Sequence, residues 1–257
     1  MEKIEISYSH EKSVCKVILN DGKRNILDSV MMSDLLTLLD EIKENPDIKL
    51  VTFEGKGQHF SFGASVREHS KEYAHDMLTT FHRIFYKIID LGIPMLAKIS
   101  GQCLGGGLEL ALICNVLFAD KTAKLGQPEI ILGVFPPPAS IMLPLKIGNA
   151  RAEELLITGK SISAEEGLKL GLINEVFQNK REMEIAVEEW ISKYIVQKSA
   201  SSLKFAVNAA RKTFNHIMKN KLPELENEYL GRLMDTKDAN EGIQSFIEKR
   251  KPVWKNC

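Results

Sequence analysis

Glu109 follows three consecutive glycines, Gly105-Gly106-Gly107, inside the stretch Gly101-Gln102-Cys103-Leu104-Gly105-Gly106-Gly107-Leu108-Glu109-Leu110-Ala111. Glycine lets the backbone come close to a ligand. Amides at a helix N-terminus point outward with partial positive charge, so they suit an anionic oxygen. An anion-stabilising turn with a carboxylate one helical turn away is what enolate or acyl chemistry requires. The same residues also make a plain strand-to-helix turn carrying a solvated glutamate. Taken alone, they leave both readings open.

The elements that must position this turn follow from hydrophobic periodicity. Residues 94–99 form an apolar, strand-like run before the glycines, and a helix-like run starts at Leu108 and extends toward Phe118. Upstream, residues 4–8, 14–19 and 50–54 read as strands, and residues 29–42 carry helical apolar spacing. Residues 69–90 also read as helix, and residues 116–119 as a further strand. Alternating strands and helices imply an α/β core with parallel pairing, and ligands bind where its strands end and helices begin. Residues 124–144, with five prolines, read as irregular. Helices are expected over 150–158, 164–170, 181–197, 202–218 and 222–233, so the last third reads as a helical extension.

Composition narrows the class. The chain has 257 residues, 44% of them hydrophobic and 26% charged, enough to bury a full core. Its 34 basic and 34 acidic residues cancel, which argues against nucleic acid or an anionic membrane as the main partner. Cys15, Cys103, Cys114 and Cys257 show no CxxC spacing and read as reduced thiols of a cytoplasmic protein, with Cys103 and Cys114 as small buried residues. No apolar run is long enough to span a bilayer, and residues 1–5 lack a signal-peptide core. The histidines show no metal-ligand spacing, so no metal is expected.

Three further segments change the reading. His59-Phe60-Ser61-Phe62-Gly63-Ala64-Ser65, the glycine turn through Glu109, and Gly126-Gln127-Pro128-Glu129-Ile130 occur in an order that resembles the crotonase superfamily, the enoyl-CoA hydratases and their relatives. The resemblance continues through Leu156-Ile157-Thr158-Gly159-Lys160, Ile162-Ser163-Ala164-Glu165-Glu166-Gly167 and Gly171-Leu172-Ile173-Asn174-Glu175-Val176. It ends at Phe246-Ile247-Glu248-Lys249-Arg250-Lys251-Pro252.

It implies a crotonase-like spiral α/β core over 1–195 and a C-terminal helical region over 196–257 that trimerises, giving a trimer or a dimer of trimers. It also implies an acyl-CoA thioester substrate and no cofactor, coenzyme A being part of the substrate. By the same resemblance, the amides of Ala64 and Gly106 match the oxyanion-hole donors. Phe62 aligns with the residue whose backbone meets the adenine. Lys23, Arg24, Gly105, Lys249 and Lys251 fall among the coenzyme A contacts, where a plain surface charge is the competing reading for the basic four. Glu109 and Glu129 match the two glutamates of the hydratases, one to activate water and one to deliver a proton.

The chain departs from the family pattern after Glu129. Gly133-Val134-Phe135-Pro136-Pro137-Pro138-Ala139-Ser140 stands where most hydratases carry a glycine-rich run, so a loop lining the acyl pocket is expected to be stiffened. Ser65 stands where many relatives have Asp, and the early turn reads Asp21-Gly22-Lys23-Arg24. Together with Asn25-Ile26-Leu27-Asp28, these features resemble the branch that hydrates a cyclic conjugated dienoyl-CoA in anaerobic aromatic degradation. A general short-chain 2-enoyl-CoA hydratase, another crotonase-type reaction and a non-catalytic binding module remain as alternatives.

Overall fold

The computed structural model describes residues 1–257. Strands β1 (Ile4–Ser9) and β2 (Val14–Leu19) form an antiparallel hairpin, and α1 (Ser29–Lys43) follows. Asp28 starts α1 by accepting from the Met31 amide at 3.1 Å. Met32, Leu35, Leu36, Leu39 and Ile42 form the stripe that α1 buries. Strand β3 (Leu50–Gly55) leads to a 3₁₀ turn (Val66–His69), α2 (Ala74–Leu91), β4 (Met95–Ile99) and β5 (Gln102–Leu104). Next come α3 (Gly106–Leu112), β6 (Val116–Asp120), β7 (Lys124–Gly126), a second 3₁₀ turn (Pro128–Leu132), α4 (Pro137–Ile147) and α5 (Asn149–Thr158). Strand β8 (Ser161–Ser163), α6 (Ala164–Lys169) and β9 (Glu175–Phe177) complete the strand-bearing part.

Each winding of the chain lays one strand beside the last. The six-stranded sheet runs β1-β2-β3-β4-β6-β9, parallel from β2 onward, with a crossover between neighbours. A second layer repeats the stacking in short pieces. Ser61 bridges to Cys103, Cys103 pairs with Leu125 and Leu125 with Ile162. This is the α/β spiral that the resemblance implied. Helices α7 (Lys180–Tyr194), α8 (Ala200–Ala210), α9 (Lys212–Gly231) and α10 (Lys237–Ile247) follow. Met218, Leu222 and Tyr229 of α9 and Ile243 of α10 join the same hydrophobic core as the strands. No helix is long and apolar enough to cross a membrane.

Several boundaries differ from expectation, each for a local reason. The helix expected over 69–90 is broken into a 3₁₀ turn and α2, which starts only at Ala74. Helix α3 stops at Leu112, because Asn115 turns back to β4: its amide donates to Met95 O and its side-chain oxygen accepts from Met95 N, both at 2.8 Å. Residues 124–144 are ordered elements, β7, a 3₁₀ turn and α4, and the proline run is a helix start rather than a loop. Pro137 occupies the first position of α4, where a missing N–H costs nothing. The helices expected over 202–218 and 222–233 divide instead at Arg211, whose guanidinium donates to Ile113 O at 2.6 Å and Cys114 O at 2.9 Å. Pro223 lies inside α9, which continues through it with Met218 and Leu222 buried before it and Tyr229 after it.

Candidate active site

The segment between β3 and the first 3₁₀ turn is pinned in place by polar side chains. Ser61 Oγ donates to Asn25 O at 2.7 Å and accepts from Gly63 N at 3.0 Å. Asn25 Nδ2 donates to His59 O at 2.9 Å and to Lys56 O at 3.1 Å. On either side of Ala64, Leu27 N donates to Gly63 O and Ser65 N to Leu27 O. The Ala64 amide itself donates to nothing in the chain, and neither does that of Gly106, the first residue of α3. A Cβ placed on Gly106 would lie 3.2 Å from Ala64 N, so the two free amides are neighbours.

Gly105 has a φ of +51° and precedes α3. A Cβ there would lie 2.6 Å from Glu129 Oε1. The glycine therefore serves twice: it turns the chain into α3 and leaves room for the second carboxyl.

Ala64, Gly105, Gly106, Glu109, Glu129 and Phe62 all line one cavity. Val66, Met77, Leu78, Phe81, Leu132 and Phe135 form its apolar wall, and its open space is about 70 Å³. Two carboxyls in such surroundings hold protons tightly, because burial penalises the charged form. Glu109 is 4% exposed, and burial pushes its carboxyl up to about 8. Opposing that, the Ala139 amide donates to Glu109 Oε1 at 2.9 Å. Pro137 and Pro138 have no N–H, so Ala139 is the first residue of α4 able to donate.

Glu129 retains some accessible surface, but its carboxyl is enclosed by protein. Burial first, and the nearby Glu109 charge second, raise it well above the ordinary carboxylate range. Buried Gln127 stands beside it. Turned one way, the amide nitrogen donates to both Glu129 oxygens at 3.0 Å; turned the other, its oxygen accepts from the protonated acid. The two glutamates titrate as a pair, and burial raises both carboxyls.

The remaining expected residues divide. Arg24 does not line the cavity but lies over the ring of Phe62, which does, 5.6 Å from its centroid. Lys23 sits in the exposed turn organised by Asp21, and Lys249 in the exposed turn after α10; neither lines the cavity. His69 does line it, its Nδ1 donating to Ser65 O at 2.8 Å, whereas Tyr73 does not. His75 is exposed, and buried His82 pairs with Glu226. Pro136 and Pro137 line the cavity, as the departure from the family pattern led us to expect. Sequence reasoning missed Tyr229, which arrives from α9 with no local motif to announce it.

Two free amides lie beside two buried carboxyls in one cavity, and comparison with known proteins gives the class. A family model described as enoyl-CoA hydratase/isomerase matches residues 9–257. The chain belongs to that family, the crotonases: it is an enzyme of acyl-CoA thioesters and a hydro-lyase by class. It is 42% identical over 253 residues to the cyclohexa-1,5-dienecarbonyl-CoA hydratase of Thauera aromatica, covering 98% of this chain and 97% of that one. It is 31% identical to a probable enoyl-CoA hydratase of Bacillus subtilis (strain 168), covering 97% and 98%. Among solved structures, an enoyl-CoA hydratase from Mycobacterium avium subsp. paratuberculosis K-10 matches the fold with a TM-score of 0.86, at 21% identity over 99% of each chain. One from Bacillus anthracis matches with a TM-score of 0.76, at 29% identity over 99% of this chain and 100% of that one.

Proposed function

We propose that this enzyme adds water to a cyclic conjugated dienoyl-CoA, converting cyclohexa-1,5-diene-1-carbonyl-CoA to 6-hydroxycyclohex-1-ene-1-carbonyl-CoA. The observation that carries the reading is the convergence of two proton-holding carboxyls and two unpaired amides on one cavity. The Ala64 and Gly106 amides hold the thioester oxygen as negative charge grows on it, an effect worth roughly 3–4 kcal/mol per donor in a site that excludes water. Glu109, whose carboxylate form the Ala139 amide stabilises, takes a proton from water. The resulting oxygen bonds to the β carbon. Glu129 then delivers its proton to carbon, at the far end of the diene. Two carboxyls facing one water suit this division, since the reaction needs one base and one acid together.

The choice of substrate draws on the 42% identity to the Thauera aromatica enzyme and on the proline start of α4 at the cavity wall. Arg24, Phe62 and Gly105 are assigned to coenzyme A by the family resemblance, with Lys23 and Lys249 as outer contacts. The protein acts as a homotrimer or a dimer of trimers. A general short-chain 2-enoyl-CoA hydratase is the second reading, favoured by relatives such as the Bacillus subtilis protein. Incubation with the cyclic dienoyl-CoA and, separately, with crotonyl-CoA, followed by liquid chromatography, decides between them. Preferential gain of one water by the cyclic diene is the expected result. Preference for crotonyl-CoA would overturn the cyclic substrate and leave the hydratase chemistry standing.

A further inference from the structure

Tyr229 on α9 is 1% exposed, and its hydroxyl has no hydrogen-bond partner. Its ring packs edge-on against Phe135, with centroids 5.4 Å apart. It lines the cavity that holds Glu109 and Glu129 and is the only hydroxyl side chain to do so. Packing alone does not account for that hydroxyl. Phenylalanine would fill the same space without leaving a buried donor unsatisfied. Burial first, and then the charges of Glu129 and Glu109, raise its phenol above the usual range. The group therefore keeps its proton and acts as a donor, not as a base.

Resting on the hydration chemistry proposed above, we propose that Tyr229 is a further catalytic residue whose phenol O–H donates a hydrogen bond to the oxygen of the adding water and to the product hydroxyl it becomes. A water held for addition has two protons and two lone pairs. One proton goes to Glu109, and one lone pair forms the bond to the β carbon. The second lone pair needs a donor, and the apolar wall formed by Val66, Met77, Leu78, Phe81, Leu132 and Phe135 supplies none. Tyr229 supplies it and transfers no proton. In the reverse direction the same hydrogen bond steadies the departing oxygen. A site that hydrogen-bonds a substrate hydroxyl also discriminates against the analogue lacking it.

Tyr229→Phe tests this, because it keeps the ring against Phe135 and deletes only the hydroxyl. Hydration by the variant is expected to fall 10- to 100-fold in kcat with KM for the acyl-CoA unchanged. Calorimetric titration gives a second readout independent of turnover. Affinity for 3-hydroxybutyryl-CoA is expected to drop roughly tenfold, the worth of one hydrogen bond, while affinity for butyryl-CoA, which has no hydroxyl, stays the same. Unchanged kcat with unchanged affinity for both ligands overturns the proposal. Equal loss of affinity for both ligands also overturns it, because that outcome marks a packing role. If the unsubstituted enzyme binds neither thioester, the same pair of titrations is made with 6-hydroxycyclohex-1-ene-1-carbonyl-CoA and cyclohex-1-ene-1-carbonyl-CoA, and failure to hydrate both crotonyl-CoA and the cyclic diene overturns the hydration reading on which the proposal rests.

Discussion

At the scale of single residues, the site is a contest between desolvation and hydrogen bonding at two carboxyls. Glu109 shows both sides, pushed up to about 8 by burial and pulled back by one amide. This has a stability cost with a definite sign. An unfolded glutamate ionises near 4.5, whereas Glu109 in the fold keeps its proton to about 8. Across that window the unfolded chain releases a proton that the folded chain retains. Stability therefore falls as pH rises, by at most about 1.4 kcal/mol per pH unit. Glu109→Gln removes the group. The melting temperature of the unsubstituted protein should drop more between pH 5 and pH 8 than that of the variant. Parallel melting curves across that range would contradict the raised carboxyl. Glu109 was legible in the sequence because its signal is local, a carboxylate one turn beyond a glycine run. Glu129 was legible only by resemblance, since it sits in a 3₁₀ turn beside Pro128 that shows no periodicity.

At the scale of elements, most strands and helices with strong periodicity are where the sequence put them, and β2, β4 and α1 are examples. The three-residue strands β5, β7 and β8 are too short to show a period, and backbone pairing with neighbouring windings defines them. Helix α4 was hidden because consecutive prolines read as a breaker, although the first turn of a helix tolerates them. Its start matters to the chemistry. By withholding two amides, Pro137 and Pro138 leave Glu109 a single backbone donor, Ala139. Pro138→Ala restores an N–H beside that donor. A second hydrogen bond to the carboxylate favours its charged form, so the acidic limb of the pH–rate profile should move to lower pH, by about one unit. A limb that stays in place would show that α4 does not tune Glu109.

At the scale of the whole molecule, the spiral and the returning C-terminal helices complete one site together. The windings bring Ala64, Gly106, Glu109 and Glu129 to the cavity from segments up to 65 residues apart, and α9 closes it with Tyr229. Arg211, clasping the end of α3, fixes where α9 begins. Such closure is invisible to local sequence patterns, because Tyr229 lies 100 residues beyond Glu129 on a helix whose periodicity reports only burial. The central claim is that Glu109 and Glu129 act as one base and one acid on the same water. The most direct test is the single-turnover hydration rate of Glu109→Gln and Glu129→Gln, on whichever thioester the unsubstituted enzyme hydrates, with acyl-CoA affinity measured alongside. Each variant should lose roughly 10²–10⁴-fold in rate while binding is retained. Near-normal hydration by either one would contradict the account.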